Sequence, residues 1–225
     1  MAELLTHANA HADTRVFALV RPESDAKLDA LRTRLGVTPQ QLVAVHGNIE
    51  QPSLGLDATT LTTLTGNIDH FFHLAALYDL KAEAPAQEKA NISGTRNALD
   101  AAAALKTRCF HHVSSIAAAG LYPGRFTETM FDEAIGLDDP YFFTKHASER
   151  LVRAEQRFPW RIYRPSLVVG DSRSGEMDKI DGPYYLFGIL RDAAKWLPDW
   201  LPLPGIEGGQ FNIVPVNYVV QALDR

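Results

Sequence analysis

Residues 139–152 read DPYFFTKHASERLV and set Tyr141 four positions ahead of Lys145. On a helix, residues four apart share a face, so the phenol and the ammonium would stand side by side. A phenol at its ordinary pKa of about 10 is a poor proton donor at neutral pH, and a neighbouring ammonium lowers that value by stabilising the phenolate. The pair is then a usable general acid. Upstream, HHVSSIAAAG runs from a β-like segment into Ser114, Ser115 and a small-residue loop that ends at Gly120. A serine at the carboxyl end of a strand can donate to a substrate carbonyl and stabilise the oxyanion formed as hydride arrives. The plainer reading, two serines that only end a strand, loses weight because the tyrosine and lysine follow.

The elements that must position these residues are legible as alternation. Six β-branched or aromatic runs, RVFALV (15–20), QLVAV (41–45), HFFHLA (70–75), RCFHHVS (108–114), WRIYRP (160–165) and FNIVPV (211–216), read as strands. Between them SDAKLDALRTRL, DATTLTTLTG, EKANISGTRNALDAAAAL and YFFTKHASERLVRAEQ carry apolar residues at helical spacing. Strand–helix repetition of this kind predicts an α/β fold with a parallel sheet covered on both faces, in a single domain over 1–225. Residues 171–210 break the rhythm with DGPYY and KWLPDWLPLPG, an insertion expected on the substrate side. The aromatic residues Tyr184, Tyr185, Phe187, Trp196 and Trp200 within it are candidate walls of an apolar pocket.

Composition narrows the function classes. A 225-residue chain that is 46% hydrophobic can bury one sizeable core. Its net charge of -5 and lack of a basic run argue against nucleic acid or an anionic membrane as partner. The single cysteine, Cys109, allows no disulfide within the chain and suits a reducing compartment, with the thiol read as structural. No run is long enough to span a bilayer and no signal-peptide pattern opens the chain, so the expected place is the cytoplasm. His70 and His73 are three apart on a strand, and His111 and His112 adjacent on another, so each pair faces opposite ways and no metal is expected. Asn91 begins an N-I-S acceptor pattern but is read as packing near the active site.

Together these motifs resemble the extended (atypical) short-chain dehydrogenase/reductase family over nearly the whole chain. FHLAALYDL resembles the family's cofactor-lining strand 4, NISGTRNALDAA the helix after it, YRPSLVVG the strand after the catalytic helix, and NIVPVNYVVQALD the segment closing the substrate side. VVGDSRSGEMDKIDGPYY looks like the branch that reduces fatty acyl thioesters or aldehydes. The resemblance implies a Rossmann-like doubly wound sheet with Tyr141 as proton donor, Lys145 holding the nicotinamide ribose, and Ser115 polarising the carbonyl. Ser115 is preferred to Ser114 on its spacing to Gly120. It further implies cofactor contacts from Asn48, Ile49, Leu74, Ala75, Ala76, Asn91, Pro165 and Val168, and substrate contacts from Tyr78, Ala117, Asp181 and Tyr185. The end of the second strand of a dinucleotide fold faces the adenosine ribose, and FALVRP puts Arg21 there with no carboxylate before it, which favours NADP over NAD.

The reading that follows is an NADPH-dependent reductase of an apolar carbonyl substrate, with a homodimer as a possible assembly. A nucleotide-sugar epimerase or dehydratase on the same scaffold, and a non-catalytic dinucleotide-binding fragment, are the alternatives. Departures from the family pattern are specific. The first glycine is Gly36, so the first strand and its glycine-rich turn are missing from the pattern, and MAELLTHANAHAD resembles only the back half of the first helix. The chain also ends short of the family's further substrate-binding structure. In strand order 3-2-1-4-5-6 the first strand lies between RVFALV and HFFHLA, so a gap, a collapse or a substitute strand is expected there, without a well-formed pyrophosphate site. Asn48 and Asn217 stand where the family usually has aspartates, and both amides keep hydrogen-bonding capacity.

Overall fold

The computed structural model describes residues 14–75, 84–177 and 212–224. These divide between two compact units, one within Met1–Ser166 and Leu223–Arg225, the other within Leu167–Ala222.

In the first unit β1 (Val16–Val20) and β2 (Leu42–His46) pair in parallel, Val16 opposite Leu42 through Val20 opposite His46. The crossover is α1 (Asp25–Leu35), whose Leu28 joins Ala18, Val37 and Leu42 in a small core. Gly36 ends the helix in the left-handed conformation and returns its N–H to the Arg32 and Thr33 carbonyls, the C-terminal cap glycine makes without steric cost. Arg32 reaches from the last turn to the Leu42 carbonyl through Nε (3.0 Å) and Nη2 (2.6 Å), tying the helix to the start of β2. α2 (Ala58–Leu64) follows, opened by the Asp57 carboxylate accepting the Thr60 N–H at 2.7 Å.

The second ladder holds the larger core. β3 (His70–His73), β4 (Cys109–Val113) and β5 (Trp160–Tyr163) run in parallel in that order. A helical segment starts as α3 (Ala84–Gln87), passes through a π-helical stretch Glu88–Ser93, and continues as α4 (Gly94–Ala104). Its alanine-rich face lets α4 and α5 (Pro140–Arg153) settle on the sheet around Phe110, with Leu54, Ala98, Leu99, Ala102, Val152 and Phe158. Phe110 is fully buried and stacks on Phe71 with centroids 5.3 Å apart. A buried aromatic at the centre of this kind contributes roughly 3–5 kcal/mol against alanine.

In the second unit β6 (Leu167–Val169) pairs in parallel with β7 (Ile213–Pro215), which leads into α6 (Val216–Leu223). The Asn217 side chain accepts the Ser172 N–H and donates to the Ser172 hydroxyl, each at 3.0 Å. An amide both accepts and donates there, as a carboxylate could not, which suits an asparagine at this position.

The parallel α/β architecture is the one expected. Two details differ from the sequence reading. Leu167–Val169 forms a separate seventh strand, and β1–β2, β3–β4–β5 and β6–β7 are separate ladders rather than one sheet. Among the described residues β1 pairs only with β2 and β3 only with β4.

Candidate active site

Tyr141 and Lys145 sit in the first two turns of α5. The sequence D-P-Y-F starts the helix there because Asp139 is its N-cap, accepting the Tyr141 N–H (2.8 Å) and the Phe142 N–H (3.3 Å), while Pro140 supplies a φ already suited to a first helical residue. From Lys145 the buried face continues through Glu149 and Val152. Lys145 is 5% exposed, and its Nζ donates to the Val113 carbonyl at 3.2 Å, at the carboxyl end of β4. Burial lowers the Lys145 pKa to about 8, with the Glu149 carboxylate pulling the other way.

β4 ends in Ser114 and Ser115, and the two hydroxyls have different occupations. Ser114 is buried and donates to Glu149 Oε2 at 2.8 Å. Ser115 caps the short 3-10 turn Ile116–Ala119, its Oγ accepting the Ala117 N–H at 3.1 Å, so its own proton remains to be given. Gly120 closes that turn with φ +62°, and a Cβ there would fall onto the Ile135 carbonyl oxygen. His146 fixes the turn to α5: its Nδ1 bonds the Ala118 carbonyl at 2.9 Å while Nε2 faces Arg150 Nη2 at 3.0 Å. Those partners require the tautomer with the proton on Nδ1. Pro165, predicted to line the cofactor, accepts the Ile116 N–H at 3.1 Å and holds the same turn from the β5 side.

Asn91 is brought onto α5. Its Nδ2 donates to Thr144 Oγ1 at 3.1 Å, and Thr144 Oγ1 donates to the Tyr141 carbonyl at 3.2 Å. The Asn91 carbonyl accepts from Thr95 (2.6 Å), whose Oγ1 lies 2.9 Å from His73 Nε2. The π-helical turn around Asn91 is the kind of irregularity that accompanies functional sites. Burial, then the Lys145 charge, lowers the His73 pKa to about 3. Burial, then His73 and Lys145, holds His112 well below its ordinary value, and neither His112 ring nitrogen has a partner among the described residues. Both imidazoles are therefore neutral at ordinary pH.

A network that sequence reasoning passed over supports the whole arrangement. Glu149 is fully buried; Oε1 accepts from Arg153 Nε (2.8 Å) and Arg164 Nη2 (2.6 Å), and Oε2 from Ser114 and from Arg164 Nε (3.0 Å). Burial pushes its carboxyl up, but the bonds from Arg164, Arg153 and Ser114 together hold it below the usual range. Arg164 also grips the Thr127 and Met130 carbonyls at 3.1 and 2.8 Å. The available signal was spacing: Glu149 is four residues beyond Lys145, on the same helix face.

The residues expected at the adenosine end lie at strand ends. Arg21 is exposed just after β1, with Nη1 3.9 Å from the Glu23 carboxylate, at the outer limit of an ion pair. Asn48 spends its Oδ1 on the Glu50 N–H (2.9 Å), and Ile49 packs against Gly94 while its carbonyl accepts from Asn97 (2.9 Å). Leu74 and Ala75 follow β3 directly, and Ala117 is a buried residue of the turn that Ser115 caps. Val168 lies on β6 in the second unit. Ala76, Tyr78, Asp181 and Tyr185 lie outside the described residues, as do Tyr184, Phe187, Trp196 and Trp200.

This arrangement has known relatives. A linear gramicidin synthase of Brevibacillus parabrevis is 28% identical over 226 residues, covering 94% of this chain and 4% of that protein. Aldehyde reductase lnbA of Aspergillus flavus is 27% identical over 238 residues, covering 97% of this chain and 23% of the reductase. The crystal structure of the terminal R domain from the myxalamid PKS-NRPS biosynthetic pathway superposes with a TM-score of 0.79 at 28% identity, over 99% of this chain and 58% of that one. This chain thus spans less than two thirds of each. The NAD-binding family described as Male sterility protein matches residues 1–223, and this chain belongs to that family, among the extended short-chain dehydrogenase/reductases.

Proposed function

We propose that this chain carries the catalytic residues of an NADPH-dependent reductase acting on the carbonyl of an apolar acyl thioester or aldehyde. The observation that carries the reading is the placement of Lys145: a buried ammonium anchored on the Val113 carbonyl, one helical turn from Tyr141, beside a β4 end that presents the Ser115 hydroxyl. The residues fit a nicotinamide dinucleotide. Nζ carries three protons and among the described residues donates to one acceptor, which leaves two for ribose hydroxyls. Arg21, exposed at the end of a β1 that contains no carboxylate, suits a 2'-phosphate. NADPH held by Lys145 and Arg21 would supply the hydride for the carbonyl carbon.

The chain's own residues handle the oxygen. Ser115 donates to the carbonyl oxygen and stabilises the negative charge as the π pair moves onto it. Tyr141 then delivers its proton to that oxygen, and Lys145 stabilises the phenolate left behind until solvent reprotonates it. With an aldehyde the product is the alcohol; with a thioester the protonated adduct expels its thiol and leaves the aldehyde. The relatives support this reading, one being named an aldehyde reductase and another a terminal R domain.

The test is the oxidation of NADPH by the full-length protein with a long-chain aldehyde and an acyl thioester. Tyr141→Phe should lower kcat by roughly 10²–10⁴-fold at an unchanged melting temperature. Near-normal turnover in that variant would place the acid elsewhere.

A further inference from the structure

We propose that His70, Cys109 and His111 form a binding site for a borderline-soft divalent cation, with zinc the best match. Alternation sends His70 and His73 to opposite faces of the sheet, and likewise His111 and His112, so neither strand alone offers a pair. The ladder supplies what the strands do not. β3 and β4 pair in parallel with His70 opposite Cys109 and Phe72 opposite His111, so His70, Cys109 and His111 share the face turned away from Phe110. One ligand atom from each lies within 4.8 Å of the others.

The geometry is close to that of a tetrahedral ion. His70 Nδ1 and His111 Nε2 are 3.0 Å apart. Two Zn–N bonds of about 2.05 Å at a tetrahedral angle place the nitrogens about 3.3 Å apart, and a Zn–S bond of about 2.3 Å puts sulfur about 3.6 Å from each. The imidazoles need to part by a few tenths of an ångström and the thiolate to close by at most about an ångström, within the reach of χ adjustments. His111 is already oriented: its ring stacks on Phe72 (4.3 Å, 18°), and Nδ1 meets the Tyr163 hydroxyl at 2.9 Å. With the Tyr163 hydroxyl accepting from Nδ1–H, the Nε2 lone pair that now meets His70 Nδ1 would turn to a metal. His70 is exposed, so it can pass its proton to Nε2 through solvent and provide the entry path. Cys109 gives up one proton on binding, and water takes the fourth position. Arg161, opposite His111 on β5, opposes a cation, and a thiolate in the ligand set offsets it. Two imidazoles and a thiolate select zinc or cobalt over the oxygen-seeking magnesium and calcium.

The probes are Zn2+ and Co2+ alone, with the reduced, purified protein. One ion per chain should bind by calorimetry, and Co2+ should develop the charge-transfer absorption of a cobalt–thiolate bond. Cys109→Ser should abolish that band, and both Cys109→Ser and His70→Ala should weaken Zn2+ by about tenfold or more. Because His70 is exposed, its alanine variant keeps the fold. In the unmutated chain, Zn2+ should slow alkylation of Cys109 by iodoacetamide. A cobalt complex without a thiolate band, an alkylation rate indifferent to Zn2+, or Zn2+ affinity unchanged in both variants would overturn the proposal.

Discussion

Replacing Glu149 with glutamine removes one charge from the middle of the molecule while preserving its shape. The carboxylate is wholly buried and meets two guanidinium groups and the Ser114 hydroxyl; Arg164, whose side chain is 13% exposed, pairs with this carboxylate, with backbone carbonyls and with the face of the Phe126 ring. Breaking a buried pair by removing one partner costs roughly 3–5 kcal/mol, because the other charge is left uncompensated. Glutamine keeps one acceptor for the guanidinium groups, so the expected loss is at the lower end, about 3 kcal/mol. For a chain of this size that is a fall in melting temperature of about 6–12 °C. Urea unfolding should show a lower midpoint at unchanged slope. Glu149 also has a folded pKa below its unfolded value, so its contribution is present above the unfolded carboxylate pKa and is lost as pH falls through the folded one. The variant should therefore lose that acid-side dependence. Since Glu149 is what raises Lys145 against the effect of burial, Lys145 should titrate below about 8 in the variant. A loss under about 1 kcal/mol would mean that the network is energetically idle and the reasoning wrong.

Three further outcomes are expected. Lys145 titrates at about 8 in the folded chain, against about 10.4 unfolded, so the unfolded state holds the proton more tightly and stability attributable to this group rises between those two pH values by about 3 kcal/mol; Lys145→Met should flatten that rise in pH-dependent urea unfolding. Arg21→Ala in the full-length protein should remove most of the preference for NADPH over NADH, measured as the ratio of their dissociation constants, and equal affinities before mutation would contradict the assignment. His146→Leu frees the Ser115 turn from α5 and should lower kcat by about 10²-fold with little change in the KM for NADPH, as misplacement by an ångström does.

What could be seen in advance follows from how local the cause is. α5 is legible because Asp139, Pro140 and a three-and-four apolar spacing all act within one helix, and they place Tyr141 and Lys145 without reference to the rest of the chain. β4 is legible as an apolar run, and the small residues after it mark the Ser115 turn. The distinction between Ser114 and Ser115 needs a tertiary partner, since only Glu149 from another element decides which hydroxyl is occupied. Glu149 itself looks like an ordinary polar helix position; its burial depends on Arg164 arriving from beyond β5. The His70–Cys109–His111 cluster depends on ladder register, which alternation along one strand does not reveal. Leu167–Val169 is too short and too close to Pro165 to stand apart from β5 by pattern alone.

The central claim, that Tyr141, Lys145 and Ser115 serve hydride transfer from NADPH to a carbonyl, is tested most directly by isotope. The full-length protein is given NADPH deuterated at the transferred nicotinamide position together with a long-chain aldehyde, and the alcohol is read by mass spectrometry. One deuterium should appear on the former carbonyl carbon, none on oxygen after aqueous exchange, and its rate of appearance should fall roughly 10²–10⁴-fold in Tyr141→Phe. Alcohol formed without deuterium, or labelled equally fast by the phenylalanine variant, would contradict the account.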